Sequence, residues 1–128
     1  MIKNLFFAAG KGKHRVELRA TLTEEGIMVS LLGGEKPHIG AVVLSIPRPS
    51  MAEPGRVSCT SIVVPRLGHK DDELAKPLAE ELAKACDQPV VMVAGVHVEK
   101  AQAEDIDLLI KNSNEALQHL LKTITIFR

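Results

Sequence analysis

Six polar residues of this chain stand at the ends of apolar runs, where connecting loops meet. His38 precedes "IGAVVLSI", Arg48 and Ser50 follow it, His69 and Lys70 lie in the turn of "VVPRLGHKDDEL", and His97, with Glu99 behind it, follows "PVVMVAGV". Loops held by a rigid scaffold are a common place for function, and these residue types suit an anionic ligand. Arg48 offers a planar fork to a phosphate, Ser50 a hydroxyl, and the turn at Gly68 opens a helix whose first N–H groups lack intrahelical acceptors. Asp71 and Asp72 oppose a bare phosphate there. Either they point outward and complement the positive end of the helix, or they hold a divalent cation that bridges to the ligand. A plainer reading of His69 and Lys70, as solvated residues of a helix start, stands on equal terms because such starts are often polar for capping reasons.

Other chemistries find little support. "AAGKGKH" lacks the G-to-GK spacing of a phosphate loop and the third glycine of a dinucleotide fingerprint, and it reads as a flexible turn. There is no G-x-S-x-G elbow, and no pair of histidines stands at helical ligand spacing. Cys59 and Cys86 have neither a CxxC spacing nor a partnered histidine, so both are expected as buried free thiols. Lys plus Arg and Asp plus Glu are 16 each, which leaves no net positive field for nucleic acid. Aromatic residues make up 2%, with three Phe and no Trp or Tyr, too few for a platform that stacks single-stranded bases. The N-terminal apolar segment is too short for a signal peptide, and the longest apolar runs fall well below the roughly 20 residues of a membrane span. A cytoplasmic protein without a membrane anchor is expected.

The elements that must position these residues follow from hydrophobic period. In "HRVELRATLT", residues 14–23, Val16, Leu18, Ala20 and Leu22 alternate with Arg15, Glu17, Arg19 and Thr21, the mark of a half-exposed antiparallel strand. Gly26 allows a short hairpin, after which Ile27, Val29 and Leu31 resume the apolar face. Residues 38–46 predict a strand covered on both sides, and the three prolines of "PRPSMAEPGR" predict a stiff loop over 47–56. "VSCTSIVV" predicts a fourth strand.

Leu74, Leu78 and Leu82, with Ala75, Ala79 and Ala85, predict a helix that starts near Asp72 and keeps Pro77 close to its first turn. "QPVVMVAGV" predicts a buried strand, and Ile106, Leu109, Ile110, Leu117, Leu120 and Leu121 a second helix over about 103–121. A block of strands followed by helix, strand and helix argues one α+β domain over 1–128, a mostly antiparallel sheet with two helices packed on it.

With these residues assembled, "HIGAVVLSIPRPS", "GHKDDELAKPLAEELAKA" and "PVVMVAGVHVEKAQAEDIDLLI", in this order, resemble the prenylated flavin chaperone family. These are the small D-type subunits that accompany gallate and protocatechuate decarboxylases. The similarity spans roughly residues 13–121. It implies a protein that binds prenylated FMN, made by a flavin prenyltransferase, and protects or delivers it to the large subunit of a decarboxylase. It also implies kinship with proteasome assembly chaperone folds, which are dimeric, and a homodimer is expected since two-fold pairs are the commonest assembly.

Residue roles are assigned from chemistry and not from the family: Arg48, Ser50 and Lys70 to the phosphate of prenylated FMN or FMN, His38, His69 and His97 to hydrogen bonds with the flavin ring. With no Trp or Tyr, the ring must lie on aliphatic surface, Met, or one of Phe6, Phe7 and Phe127. Two other readings remain at this stage. One is a structural subunit of a decarboxylase complex. The other is a small enzyme assisting oxidative maturation of the flavin, with His69 or His97 as proton carrier.

Overall fold

The computed structural model describes residues 1–68 and 70–127. Alternation decides the centre of the sheet. In β2 (Val16–Thr23) and β3 (Gly26–Gly34), Val16, Leu18, Ala20, Leu22, Ile27, Val29 and Leu31 are all buried on one face. Their hairpin pairs Leu18 with Leu31 and Ala20 with Val29, as the 14–31 pattern predicts. The sheet has six strands in the order β1-β2-β3-β6-β4-β5, from β1 (Lys3–Ala9), β4 (Ala41–Pro49), β5 (Val57–Pro65) and β6 (Val90–His97). The β3–β6 pair is parallel and the other pairs are antiparallel. Two helices, α1 (Asp71–Cys86) and α2 (Ala103–Phe127), pack on it, which gives the α+β architecture expected.

Both helices lie on the same face. Leu78, Leu82 and Ala79 of α1 and Leu117, Leu120 and Ala116 of α2 join Val43, Met92 and the β2–β3 residues in one apolar cluster. β6 is the last strand in sequence but sits between β3 and β4, with Val90, Met92 and Ala94 fully covered. The helices account for one half of its apolar run, Val90, Met92 and Ala94, while the alternate residues Val91 and Val93 lie half-buried on the opposite face.

Several boundaries differ from the sequence reading. The N-terminal segment forms the edge strand β1, which pairs Leu5 with Ala20 and Phe7 with Leu18. β4 continues through Pro47 to Pro49, although those prolines predict loop. The reason is local: β4 pairs with β6 only as far as Ser45, so Pro47 and Pro49 lie in a two-stranded extension with β5 where one edge needs no N–H donor. Ala41, Val43 and Ser45 of β4 are buried, whereas Val42 and Leu44 are half-buried and Ile46 is exposed, so only one side is covered.

α1 begins at Asp71, which makes Pro77 an interior residue, and Pro77 is exposed on the solvent side. Ala83, rather than Ala85, completes the buried stripe of α1. α2 runs six residues beyond the expected 121, and Ile124 is buried in the core. Cys59 and Cys86 are half-buried, less covered than expected, since Cys59 lies on the edge strand β5 and Cys86 in the last turn of α1.

Candidate functional site

Three backbone segments converge at the carboxyl end of β6: the connection 35–40, the start of α1, and the turn 98–102 that leads into α2. The first docks by main-chain bonds, Glu35 N–H to the His97 carbonyl at 2.7 Å and Gly40 N–H to the Ala94 carbonyl at 2.9 Å. Two glycines permit the approach. A Cβ at Gly40 would overlap the Asp71 carboxylate, and one at Gly95 would overlap the His38 carbonyl.

The product of this packing is a His38–Asp71 pair. Asp71 is buried, at 7% exposure, and its Oδ2 lies 2.9 Å from His38 Nε2. Asp71 Oδ1 accepts the Val96 N–H at 2.9 Å, so the carboxylate spans from the helix start to β6. The other His38 nitrogen, Nδ1, lies 2.8 Å from the Lys36 carbonyl. A carbonyl only accepts, and neutral imidazole carries one N–H, so satisfying both bonds requires two protons shared between His38 and Asp71. The His97 ring meets His38 edge-on, 6.2 Å between centroids and 81° between planes. His97 Nε2 lies 3.3 Å from Glu99 Oε1, which also receives Lys36 Nζ at 2.8 Å. The hydrogen bond and charge of Lys36 hold the Glu99 carboxyl below the usual carboxylate range, and the same contact raises the Lys36 ammonium.

Beside this cluster a cleft of about 780 Å³ opens between α1 and α2. Its walls are apolar, with Leu74 and Leu78 from α1 and Ile106, Leu109 and Ile110 from α2. His38, His97, Lys70 and Lys100 line one end and Glu81 and Asn114 the other. Glu81 accepts from Gln118 of α2 at 2.8 Å, which shows that the two helices run side by side from a common end. Both helix N-termini therefore face the end that carries the two lysines. Lys70 is the residue before α1 and provides no side-chain cap, and neither Lys70 nor Lys100 forms an ion pair among the described residues. Positive charge thus collects at one end of an otherwise apolar trough, although Asp72 and Glu73 in the first turn of α1 temper the field.

Of the six residues singled out from sequence, the structure brings together His38, Lys70 and His97. His69 lies outside the described residues. Arg48 and Ser50 stand at the opposite end of β4, about 25 Å away at strand rise. There Arg48 Nε donates to Thr60 Oγ1 at 2.9 Å, and Ser50 Oγ accepts the N–H groups of Ala52 and Glu53, so both organise the 50–56 loop and its neighbouring strand.

Sequence reasoning missed Lys100 and the buried role of Asp71. It read Ile106 and Ile110 only as part of the apolar stripe of the second helix; they are 48% and 42% exposed and line the cleft. Lys100 has a signal only in the backbone, a φ of 49° in a non-glycine residue. Phe6 lies on the outer face of β1 with the Arg19 guanidinium 4.8 Å above its ring, and Phe7 stacks on His119 at 6.3 Å. Neither Phe reaches the cleft. No group of three or more His, Cys, Asp or Glu side chains among the described residues is arranged to hold a metal.

Comparison with known proteins places this geometry. The structure is similar to one titled "Crystal Structure of a Novel Chaperone Complex for Yeast 20S Proteasome Assembly", at 15% identity, a TM-score of 0.59, and coverage of 98% of this chain and 96% of that one. That likeness establishes the fold. No curated protein matches the sequence. Residues 10–125 match the family described as the prenylated flavin chaperone LpdD-like domain, and the chain therefore belongs to the prenylated flavin chaperones.

Proposed function

We propose that the protein binds prenylated FMN in the cleft between α1 and α2 and passes it to a decarboxylase that uses this cofactor, without catalysing a reaction itself. The observation that carries the reading is the family match over 116 residues, 10–125, on a chain whose helices enclose a cleft of ligand size. Ligand pockets run to about 300–1,000 Å³ and are mostly apolar with a few placed polar groups, and the cleft has that character.

In this reading the apolar walls take the tricyclic ring and its prenyl adduct, which Met- and aromatic-poor aliphatic surface holds by area alone. Lys70, Lys100 and the positive end of the α1 dipole receive the phosphate. His38 and His97 stand where the polar edge of the ring would lie, and Asp71 fixes the orientation of His38. The cofactor supplies its chemistry only in the acceptor enzyme; the chaperone's residues bind, orient and exclude solvent. Arg48 and Ser50 play no part in this arrangement, because they face another end of the molecule.

Visible absorption and mass spectrometry test this on protein purified from cells that also express a flavin prenyltransferase. A stoichiometric prenylated flavin is expected, and a colourless protein that also refuses added cofactor would overturn the reading. Lys70→Ala is expected to weaken binding of the phosphorylated flavin by about 1.5–3 kcal/mol, the range for a charge-assisted bond, while Arg48→Ala leaves it unchanged. The reverse pattern would move the phosphate to the other end of β4.

One observation favours a second reading, in which the protein assists maturation of the flavin. The buried Asp71 carboxylate orients His38 as such carboxylates orient a general base. A time-dependent spectral change of bound cofactor that His38→Ala abolishes would support it, and a static spectrum would exclude it.

A further inference from the structure

The ribbon of β4 and β5 treats its two edges differently. Arg66 N–H donates to the Gly40 carbonyl at 2.9 Å and Ser50 N–H to the Arg56 carbonyl at 2.8 Å, which closes the ladder at both ends. Between them the unbroken register turns the N–H and carbonyl groups of Ser58, Thr60, Ile62 and Val64 toward β4, and those of Val57, Cys59, Ser61 and Val63 outward from the sheet. On β4, the residues that point away from β5 beyond the last pair with β6 are Pro47 and Pro49, which have no N–H to offer. That edge of the ribbon is blunted, a usual defence against stray strand pairing. The outer edge of β5 has this defence only at Pro65, where the strand ends. From Val57 to Val64 it holds no charged side chain, no proline and no bulge, and no element of the described chain pairs with it.

What fits such an edge is another strand, since only extended backbone repeats donors and acceptors at this spacing. The open stretch 57–63 is about 23 Å long at a rise of about 3.3 Å per residue. Side chains of an added strand alternate between two surroundings. On the open face they meet Thr60, Ile62 and Val64, of which the last two are 55% and 60% exposed, and on the helix side they meet Cys59, Ser61 and Val63. Ser61 Oγ donates to Glu80 of α1 at 2.6 Å, whereas Leu74, Leu78 and Glu81 of the same helix wall the cleft. A strand added to β5 therefore lies three strand spacings from β6, about 14 Å, on the far flank of the helix that borders the cleft.

We propose that the outer edge of β5 is the docking strand for the decarboxylase that accepts the cofactor, which adds to it an extended segment with apolar residues at alternate positions. The inference rests on the delivery reading, because a protein that hands over a ligand must hold its acceptor beside the cleft. Backbone pairing supplies the affinity, and the apolar residues that land beside Ile62 and Val64 fix the register.

Amide hydrogen exchange and titration calorimetry test it, on the full chain alone and with the apo form of a prenylated-FMN-dependent decarboxylase. The Cys59 and Ser61 amides are expected to exchange fast in the isolated chain and to be protected in the complex. Cys59→Pro removes one outward N–H and no bond of the β4–β5 ladder, and it is expected to weaken association at least about tenfold. Cys59→Ala, which keeps the N–H, restores the wild-type affinity. Val57→Pro, at another outward position, repeats the test should Cys59→Pro lower the melting temperature. Flavin bound by the chaperone alone reads the cleft separately: both proline variants are expected to hold the cofactor as the wild type does and to pass it on more slowly. Two proteins that do not associate, unprotected amides at 59 and 61 in a complex that forms, or wild-type transfer rates in both proline variants would overturn the docking edge and leave the cleft reading standing. Amides already protected in the isolated chain, through pairing with a second copy, would overturn it as well. A wild type that binds no flavin would sink the cleft reading instead, and exchange in the complex would still decide the edge.

Discussion

The two faces of the one sheet are built from the same strands by the same alternation, yet they end in different states. On the helix side, Leu18, Leu31, Val43, Val90 and Met92 lose all contact with water because α1 and α2 lie over them. On the other side the face is divided. Its β1–β2 half is polar and self-satisfied: Thr21 donates to Asn4 at 2.7 Å, and Arg19 reaches Glu17 at 3.0 Å and covers Phe6. Its β3–β6–β4–β5 half is apolar and bare. Burial is thus a property of what covers a strand as much as of its residues, and a strand pattern that reads as core on both sides can be core on only one within a single chain.

The contrast is sharpest under truncation. Leu82→Ala, in the centre of the covered face at 0% exposure, is expected to destabilise the fold by about 2–5 kcal/mol in urea unfolding. A loss below 1 kcal/mol would mean that the helix side is not the core. Asp71→Ala is expected to cost about 1–3 kcal/mol, because it strands the half-buried Val96 N–H and removes a His38 partner. Amide exchange at Val96 reads this directly, and protection that stays at the wild-type level would refute the role given to Asp71.

A smaller effect belongs to the contact that ties the β1–β2 turn to α2. The Asp105 carboxyl is held down to about 2, first by the Gln102 N–H it accepts and then by His14 at 2.7 Å. A depressed folded value gives stability that is present above the ordinary carboxylate range and lost as pH falls through the folded value. Melting temperature is therefore expected to decline between about pH 4 and pH 2 in the wild type, and this part of the decline should vanish in Asp105→Asn. The smallest effect is on the bare half-face. Ile62→Ala is expected to change the stability of the isolated subunit by no more than about 0.5 kcal/mol, and a larger loss in a monomeric background would mean the residue packs within its own chain.

Much of the fold was legible because its information is local. The hairpin of β2 and β3 follows from alternation around Gly26, and β6 from an apolar run too short to be anything but a covered strand. β1 was not legible: "KNLFFAA" has no clean alternation, since Phe6 is exposed and Phe7 is packed, and only its partner strand reveals it. The prolines of β4 misled for a related reason, as their tolerance depends on where β6 stops pairing.

At the site, His38, Lys70 and His97 were found because strand ends gather loops. Asp71 was read, with Asp72, as complementing the helix dipole or holding a cation, and nothing in "KDDEL" tells which of them turns inward. That choice is made by Gly40 and Gly95, which lie 31 residues before it and 24 after it and clear space that only the folded chain brings together.

The place of β6 also sets the order in which the molecule can be assembled. Until residues 90–97 leave the ribosome, β1–β2–β3 and β4–β5 are two separate ribbons, each with an unpaired inner edge that awaits the same strand. Fifty-five residues separate the end of β3 from the start of β6, so closing the sheet is a late, long-range step, and the nascent chain carries both sticky edges from the completion of β5 until β6 is made. A member of a chaperone family thus begins its own life as a species in need of shelter.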